Sequence, residues 1–145
     1  MRKLLHVAAA AATTITLTAA AFAQIQASAS VYFLDVDPAR YAGPAGQRLA
    51  LQVGDQPRSV ALGKQDEICV QLQRSAADGV INARVRALRP EPHEAADVKL
   101  AGPGISPGTY RSTPWGMLLR VVPEDSADLD EIKAVGTKDA PVCQL

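Results

Sequence analysis

The sequence predicts an all-β protein, a single antiparallel β-sandwich or small barrel of about seven or eight strands. Three observations carry that reading. Apolar and polar residues alternate with period two through several short segments. Turn signals separate these segments every ten to fifteen residues or so. Ten glycines and ten prolines in 145 residues favour turns over long helices.

Ser30 to Val36 is rich in strand formers and stops at Asp37-Pro38. Tyr41 to Gly46 is a loop. Gln47 to Val53 puts Leu49, Leu51 and Val53 on one face and Arg48, Ala50 and Gln52 on the other. After the turn Gly54-Asp55-Gln56-Pro57, Arg58 to Leu62 closes a hairpin with Val60 and Leu62 inward. Gly63 to Asp66 turns again. Glu67 to Gln73 then alternates with Ile68, Val70 and Leu72 inside and Cys69 on the opposite, more polar face. Asp78-Gly79 is the next hairpin signal. Val80 to Leu88 follows, with Ile81, Ala83, Val85 and Ala87 facing in and Asn82, Arg84 and Arg86 facing out.

Arg89 to Ala96 is a loop broken by Pro90 and Pro92, and Asp97 to Ala101 is a short strand. Gly102 to Gly108 carries too many glycines and prolines for regular structure. Thr109 to Ser112 is a brief strand, and Met117 to Val122 is an apolar, buried one. Ser126 to Ala134 predicts a short helix, with Leu129 and Ile132 on one face and Asp128 suited to its first turn. The tail from Ala140 to Leu145 is extended. No immunoglobulin pattern emerges, because Trp115 lies 46 residues after Cys69.

The N-terminus has a different character. Met1-Arg2-Lys3 is basic, Leu4 to Phe22 carries no charge, and Ala21-Phe22-Ala23 has the small-x-small pattern of a signal-peptidase site. Residues 1–23 read as a signal peptide and residues 24–145 as one exported β-rich domain. Ala27-Ser28-Ala29 is a second site of the same kind. The apolar run is mostly alanine and threonine, which insert poorly into bilayers. A lipoprotein needs a cysteine at the cleavage point, and the first cysteine is Cys69. The expected product is a periplasmic or secreted protein with no membrane insertion after cleavage.

The chain balances 15 basic against 15 acidic residues; losing Arg2 and Lys3 leaves 13 against 15. No basic excess points to nucleic acid. Cys69 and Cys143, the only cysteines, read as a disulfide in an exported chain. Closing a loop of that length stabilises by roughly 4 kcal/mol on the chain-entropy model. Such a bridge draws the tail across the outside of the sheet, over the polar face that bears Cys69.

Catalytic candidates are sparse. His93, the only histidine after the signal, sits in Pro90-Glu91-Pro92-His93-Glu94, read as an exposed loop. Glu91 or Glu94 would have to orient it as a general base. The serines lack a GxSxG context. Zinc needs more His or Cys ligands than the chain offers, and no cofactor is expected. For calcium the candidates are the acidic cluster Glu124, Asp125, Asp128, Asp130 and Glu131 and the pair Asp35 and Asp37. They lack EF-hand spacing.

The best candidate binding site is the loop from Gly102 to Gly116. Pro103, Pro107 and Pro114 stiffen it, and it carries Tyr110, Arg111 and the only tryptophan, Trp115. Stiff loops lose less entropy on binding, and Trp, Tyr and Arg dominate interface hot spots. The competing reading makes Tyr110 and Trp115 plugs at one end of the core. Arg74, Arg84, Arg86 and Arg89 form a possible basic stripe facing an anionic surface or simply solvent.

Ser106-Pro107-Gly108-Thr109-Tyr110 is similar in its Ser-to-Tyr spacing to the Ser-Gly-x-x-Tyr loop of exported inhibitors of bacterial lysozyme. Pro107 stands where that motif has glycine, so the segment assigns no family. The expected function is non-enzymatic binding of another envelope protein, as an inhibitor or accessory subunit. A carbohydrate or small-ligand module and a small hydrolase are the alternatives.

Overall fold

A computed structural model describes residues 31–41, 46–126 and 133–145, all within one compact unit, Val31–Leu145. The expected signal peptide and both expected cleavage sites lie outside the described residues. Nine strands are present among the described residues: β1 (Val31–Val36), β2 (Gln47–Gln52), β3 (Arg58–Leu62), β4 (Asp66–Arg74), β5 (Ile81–Arg89), β6 (Ala96–Ala101), β7 (Arg111–Ser112), β8 (Leu118–Pro123) and β9 (Ala134–Gly136). They form two sheets, ordered β7-β8-β1-β2-β9 and β3-β4-β5-β6. The sheets do not close into a barrel, which removes that expectation.

The four-stranded sheet is a meander of adjacent hairpins, the topology that short polar turns between alternating strands dictate. The five-stranded sheet is less local. β1 pairs antiparallel with β2 on one side and with β8, far along the chain, on the other. β9 adds to β2 in parallel. Inward residues from both sheets make one core: Leu34, Leu49, Leu119 and Val121 from the first, Leu62, Ile68, Leu72, Val85 and Leu100 from the second. Each large side chain fully buried here contributes about 2 kcal/mol through lost apolar surface. Leu72→Ala should cost about 2–5 kcal/mol, because a close-packed interior cannot fill the gap.

Three sequence expectations change. The hairpin read over residues 47–62 does not form: β2 pairs with β1 and β9, β3 pairs with β4, and the turn at Gly54 to Pro57 carries the chain from one sheet to the other. The count rises to nine because β9 begins at Ala134, the last residue of the expected helix, and runs past it. Glu124–Ser126 forms a single 3-10 turn and Ala134 opens β9, while the rest of the expected helix falls outside the described residues. Three residues paired to a partner some eighty positions away leave no local periodicity to read. Within the segment from Gly102 to Gly116, the brief strand expected over Thr109 to Ser112 is present as β7, between a turn before Arg111 and a hairpin after Ser112.

Cys69 and Cys143 form the expected disulfide, with Cα atoms 6.0 Å apart. The tail lies beside β3. Ser59 N–H donates to the Pro141 carbonyl at 2.8 Å, and Cys143 N–H to the Pro57 carbonyl at 3.1 Å. Arg58 Nη1 reaches the Ala140 carbonyl at 2.9 Å. These bonds satisfy part of an otherwise open sheet edge. They also explain why Cys69 is fully buried although it points away from the core.

Candidate functional site

Four connections gather at one end of the unit: β1 to β2, β3 to β4, β5 to β6, and β7 to β8. The first is set by Asp37, which sits at φ 44°, a conformation aspartate tolerates better than most residues. Its carbonyl accepts the N–H groups of Arg40 and Tyr41, both at 3.1 Å, and its own N–H donates to the Leu118 carbonyl. That turn aims Arg40 and Tyr41 at the start of β4. Arg40 Nη2 donates to Asp66 Oδ1 at 3.0 Å, and Tyr41 Oη donates to Asp66 Oδ2 at 2.8 Å. Burial, then the Asp66 carboxylate, pushes the Tyr41 phenol well above its ordinary range. Gly63, at φ +59°, turns the chain between β3 and β4. A Cβ there would stand 3.3 Å from the Tyr41 ring. Glycine thus meets a backbone demand and a packing demand at once.

Across the cleft, His93 N–H is tied to the Ala87 carbonyl at 3.0 Å. Its ring lies flat on Trp115, with centroids 5.0 Å apart and planes 2° from parallel. Trp115 is presented by a tight hairpin: Thr113 N–H donates to the Met117 carbonyl, Gly116 N–H to the Thr113 carbonyl, and Met117 N–H to Thr113 Oγ1. Trp115 is half-buried against the core, and its indole Nε1 is buried without a hydrogen-bond partner. Between these groups lies a cavity of about 360 Å³ whose apolar lining includes buried Ala87 and Met117 and exposed Pro90. On its rim, Arg89 pairs with Glu67 at 2.7 Å. The Ser59 hydroxyl, then Arg89, holds the Glu67 carboxyl below its ordinary value. A second hollow of about 460 Å³ lies beyond the Arg40–Asp66 pair, beside Tyr41, Lys64 and Gln65.

The expected site residues separate. Pro107, Arg111 and Pro114 are exposed, while Tyr110 and Trp115 are half-buried. Of these only Trp115 lines the cleft, and Pro114 precedes it in the hairpin. The Arg120 guanidinium covers the Tyr110 ring at 4.7 Å, on the outer face of the five-stranded sheet. Burial pushes the Tyr110 phenol up, against the effect of Arg120, and its hydroxyl has no hydrogen-bond partner. In the Ser106 to Tyr110 segment, Ser106 and Pro107 face solvent while the tyrosine is turned in.

His93 corrects another expectation. It is half-buried, because stacking on Trp115 removes one ring face from water. Neither Glu91 nor Glu94 hydrogen-bonds its ring among the described residues. Asp35 is fully buried and bound by Arg48 at 2.6 and 2.9 Å and by Arg120 at 2.8 Å. Its lone pairs are committed to arginine rather than open to calcium. Glu124 and Asp125 are exposed on their 3-10 turn, and the other three residues of the acidic cluster lie outside the described residues. Among the described residues no group of three His, Cys, Asp or Glu side chains is arranged to hold a metal.

The arginine stripe is divided among partners. Arg84 meets Asp97 at 2.9 Å, Arg89 meets Glu67, and Arg74 donates to Tyr32 Oη at 3.2 Å. Sequence reasoning passed over Arg40, Tyr41 and Asp66. The only signal was a tyrosine beside a glycine-rich loop, and its partner lies 25 residues away.

No protein-family model, curated protein or solved structure matches the chain. Fold and site define its class: a small all-β protein of two sheets, stapled by one disulfide, with an aromatic-walled cleft among its loops.

Proposed function

We propose that this is an exported β-sandwich domain, released by cleavage after Ala23, that binds another envelope protein as an inhibitor or accessory subunit. The Cys69–Cys143 disulfide supports export, because such bridges persist in oxidising compartments. One observation carries the binding reading. The sole tryptophan is held by a tight hairpin and stacked on His93 at the mouth of a cleft, with exposed Pro114 preceding it in the hairpin and exposed Arg111 on the strand that leads into it. Held aromatics next to arginine lose little entropy on contact and are the usual energetic anchors of interfaces.

The test is affinity capture from envelope extract with wild type and with an Arg111→Ala/Trp115→Ala variant of verified fold. Loss of a captured protein in the variant is expected. Identical capture by both, or capture by neither, overturns the reading. Sequencing the exported product should find Gln24 at its N-terminus.

A carbohydrate or small-ligand module is the second reading. It is favoured by a groove of about 660 Å³ on the outer face of the four-stranded sheet, where Gln71, Gln73, Asn82 and Lys99 stand in neighbouring rows. Amides and a lysine arrayed this way offer donors and acceptors to hydroxyl groups. A hydrolase would depend on His93, and undiminished activity in His93→Ala would eliminate it.

A further inference from the structure

We infer that the loop-end cleft receives a lysine or arginine side chain of the partner; the inference rests on the protein-binding reading above and names what that site takes. The charges around the cavity decide its sign. Arg40 is neutralised by Asp66 at 3.0 Å, and Arg89 by Glu67 at 2.7 Å. Both cations of the wall are already spoken for. Glu91 also lines the cavity, is exposed, and has no ionic partner among the described residues. Among the acidic and arginine side chains that line the cavity, the uncompensated charge is therefore a single carboxylate.

The shape of the chemistry agrees with the charge. Besides Glu91 the cavity is lined by buried Ala87 and Met117, by Pro90, and by Trp115. Lysine and arginine bury an apolar stem while keeping the charged head at a polar rim. A cation is also attracted to the face of a tryptophan within about 6 Å. The volume of about 360 Å³ lies at the small end of ligand cavities, enough for one side chain and not for a folded segment. An anionic head would meet Glu91 and two arginines whose charge is already balanced. A purely apolar side chain would leave the Glu91 carboxylate partly desolvated and unpaired.

The single tryptophan makes the test direct, because its indole N–H gives one resonance inside the site. The labelled, disulfide-intact protein is titrated with N-acetyl-arginine amide, N-acetyl-lysine amide, and the norleucine and glutamate analogues. The arginine and lysine probes should move the Trp115 indole signal, the norleucine probe less and the glutamate probe not at all. Glu91→Gln, a rim change remote from the core, should weaken the basic probes by about fivefold, the scale of an exposed ion pair.

Equal binding of norleucine, unaltered affinity in Glu91→Gln, or no response to any probe overturns the inference. Capture of the envelope partner separates this failure from that of the parent reading. If Glu91→Lys still captures the partner while Arg111→Ala/Trp115→Ala does not, the protein-binding reading stands and the basic side chain does not.

Discussion

On the outer face of the five-stranded sheet, Asp35 accepts hydrogen bonds from Arg48 and Arg120, and Asp35 and Arg48 retain 0% and 3% of their side-chain exposure. On the outer face of the four-stranded sheet, Asp97 accepts from Asn82 and Arg84, and the Arg84–Asp97 pair keeps 38% and 52%. Both clusters sit on alternate positions of neighbouring strands, and both pair carboxylate with guanidinium. Aromatic rings make part of the difference. Phe33 lies against Arg48 at 5.1 Å and Tyr110 against Arg120 at 4.7 Å, whereas among the described residues no ring lies against Arg84. The four-stranded sheet is sealed on its outside at Cys69, where the tail and disulfide cross. Period two tells which way a side chain points. Whether that side is wet depends on what later segments lay over it.

The comparison can be broken from either side. The largest expected effect comes from uncovering the four-stranded sheet. Replacing Cys69 and Cys143 by serine should cost roughly 4 kcal/mol in urea unfolding, since a loop of 74 residues opens and the tail leaves the β3 edge. A loss under about 1 kcal/mol would mean that the tail's hydrogen bonds hold it without the bridge.

Next is Asp35→Ala, which strands two arginines beside each other, one of them buried. About 3 kcal/mol is expected, because removing one partner leaves uncompensated buried charge. Replacing Asp35, Arg48 and Arg120 together by apolar residues should cost less than the single change. If instead it costs more, the cluster adds net stability rather than only specificity.

Acid titration should act on smaller terms. Serine and arginine contacts hold the Glu67 carboxyl down, and the Arg58 hydrogen bond does the same for Asp55. A carboxyl with a depressed folded pKa contributes stability that is present above its unfolded value, roughly 4, and is lost as pH falls through the folded value. Unfolding midpoints should therefore fall between about pH 5 and 3, and less so in a Glu67→Gln/Asp55→Asn variant. An unchanged slope in that variant would move the acid sensitivity elsewhere.

The smallest effect belongs to Asp97→Ala. It should shift stability by no more than about 0.5 kcal/mol, and molar salt should erase even that. A cost near that of Asp35→Ala would remove the contrast between the faces.

Much of the four-stranded sheet was legible because its signals are local. In β4 and β5 the inward residues Ile68, Val70, Leu72, Ile81, Ala83, Val85 and Ala87 are those that alternation assigns, and all are buried. The cleft was scarcely legible. Trp115 and His93 were singled out one at a time, the first for a display loop and the second for a solvent-exposed one. Their stacking depends on two hairpins from different sheets. Arg40, Tyr41 and Asp66 meet only because the β1–β2 and β3–β4 connections end at the same place.

Taken alone, the amino-acid sequence determined the strand faces, the positions of the turns and the cysteine pairing, but not that the turn at Gly54 to Pro57 joins two sheets instead of closing a hairpin. Each follows from a short-range regularity: period-two burial, glycine and proline turn chemistry, and an even pair of thiols. Tertiary structure alone decided which outward faces stay wet, that β2 and β3 lie in different sheets, and that the one tryptophan and His93 share a cleft. Those outcomes depend on contacts between segments far apart in the chain, whose geometry no local pattern encodes.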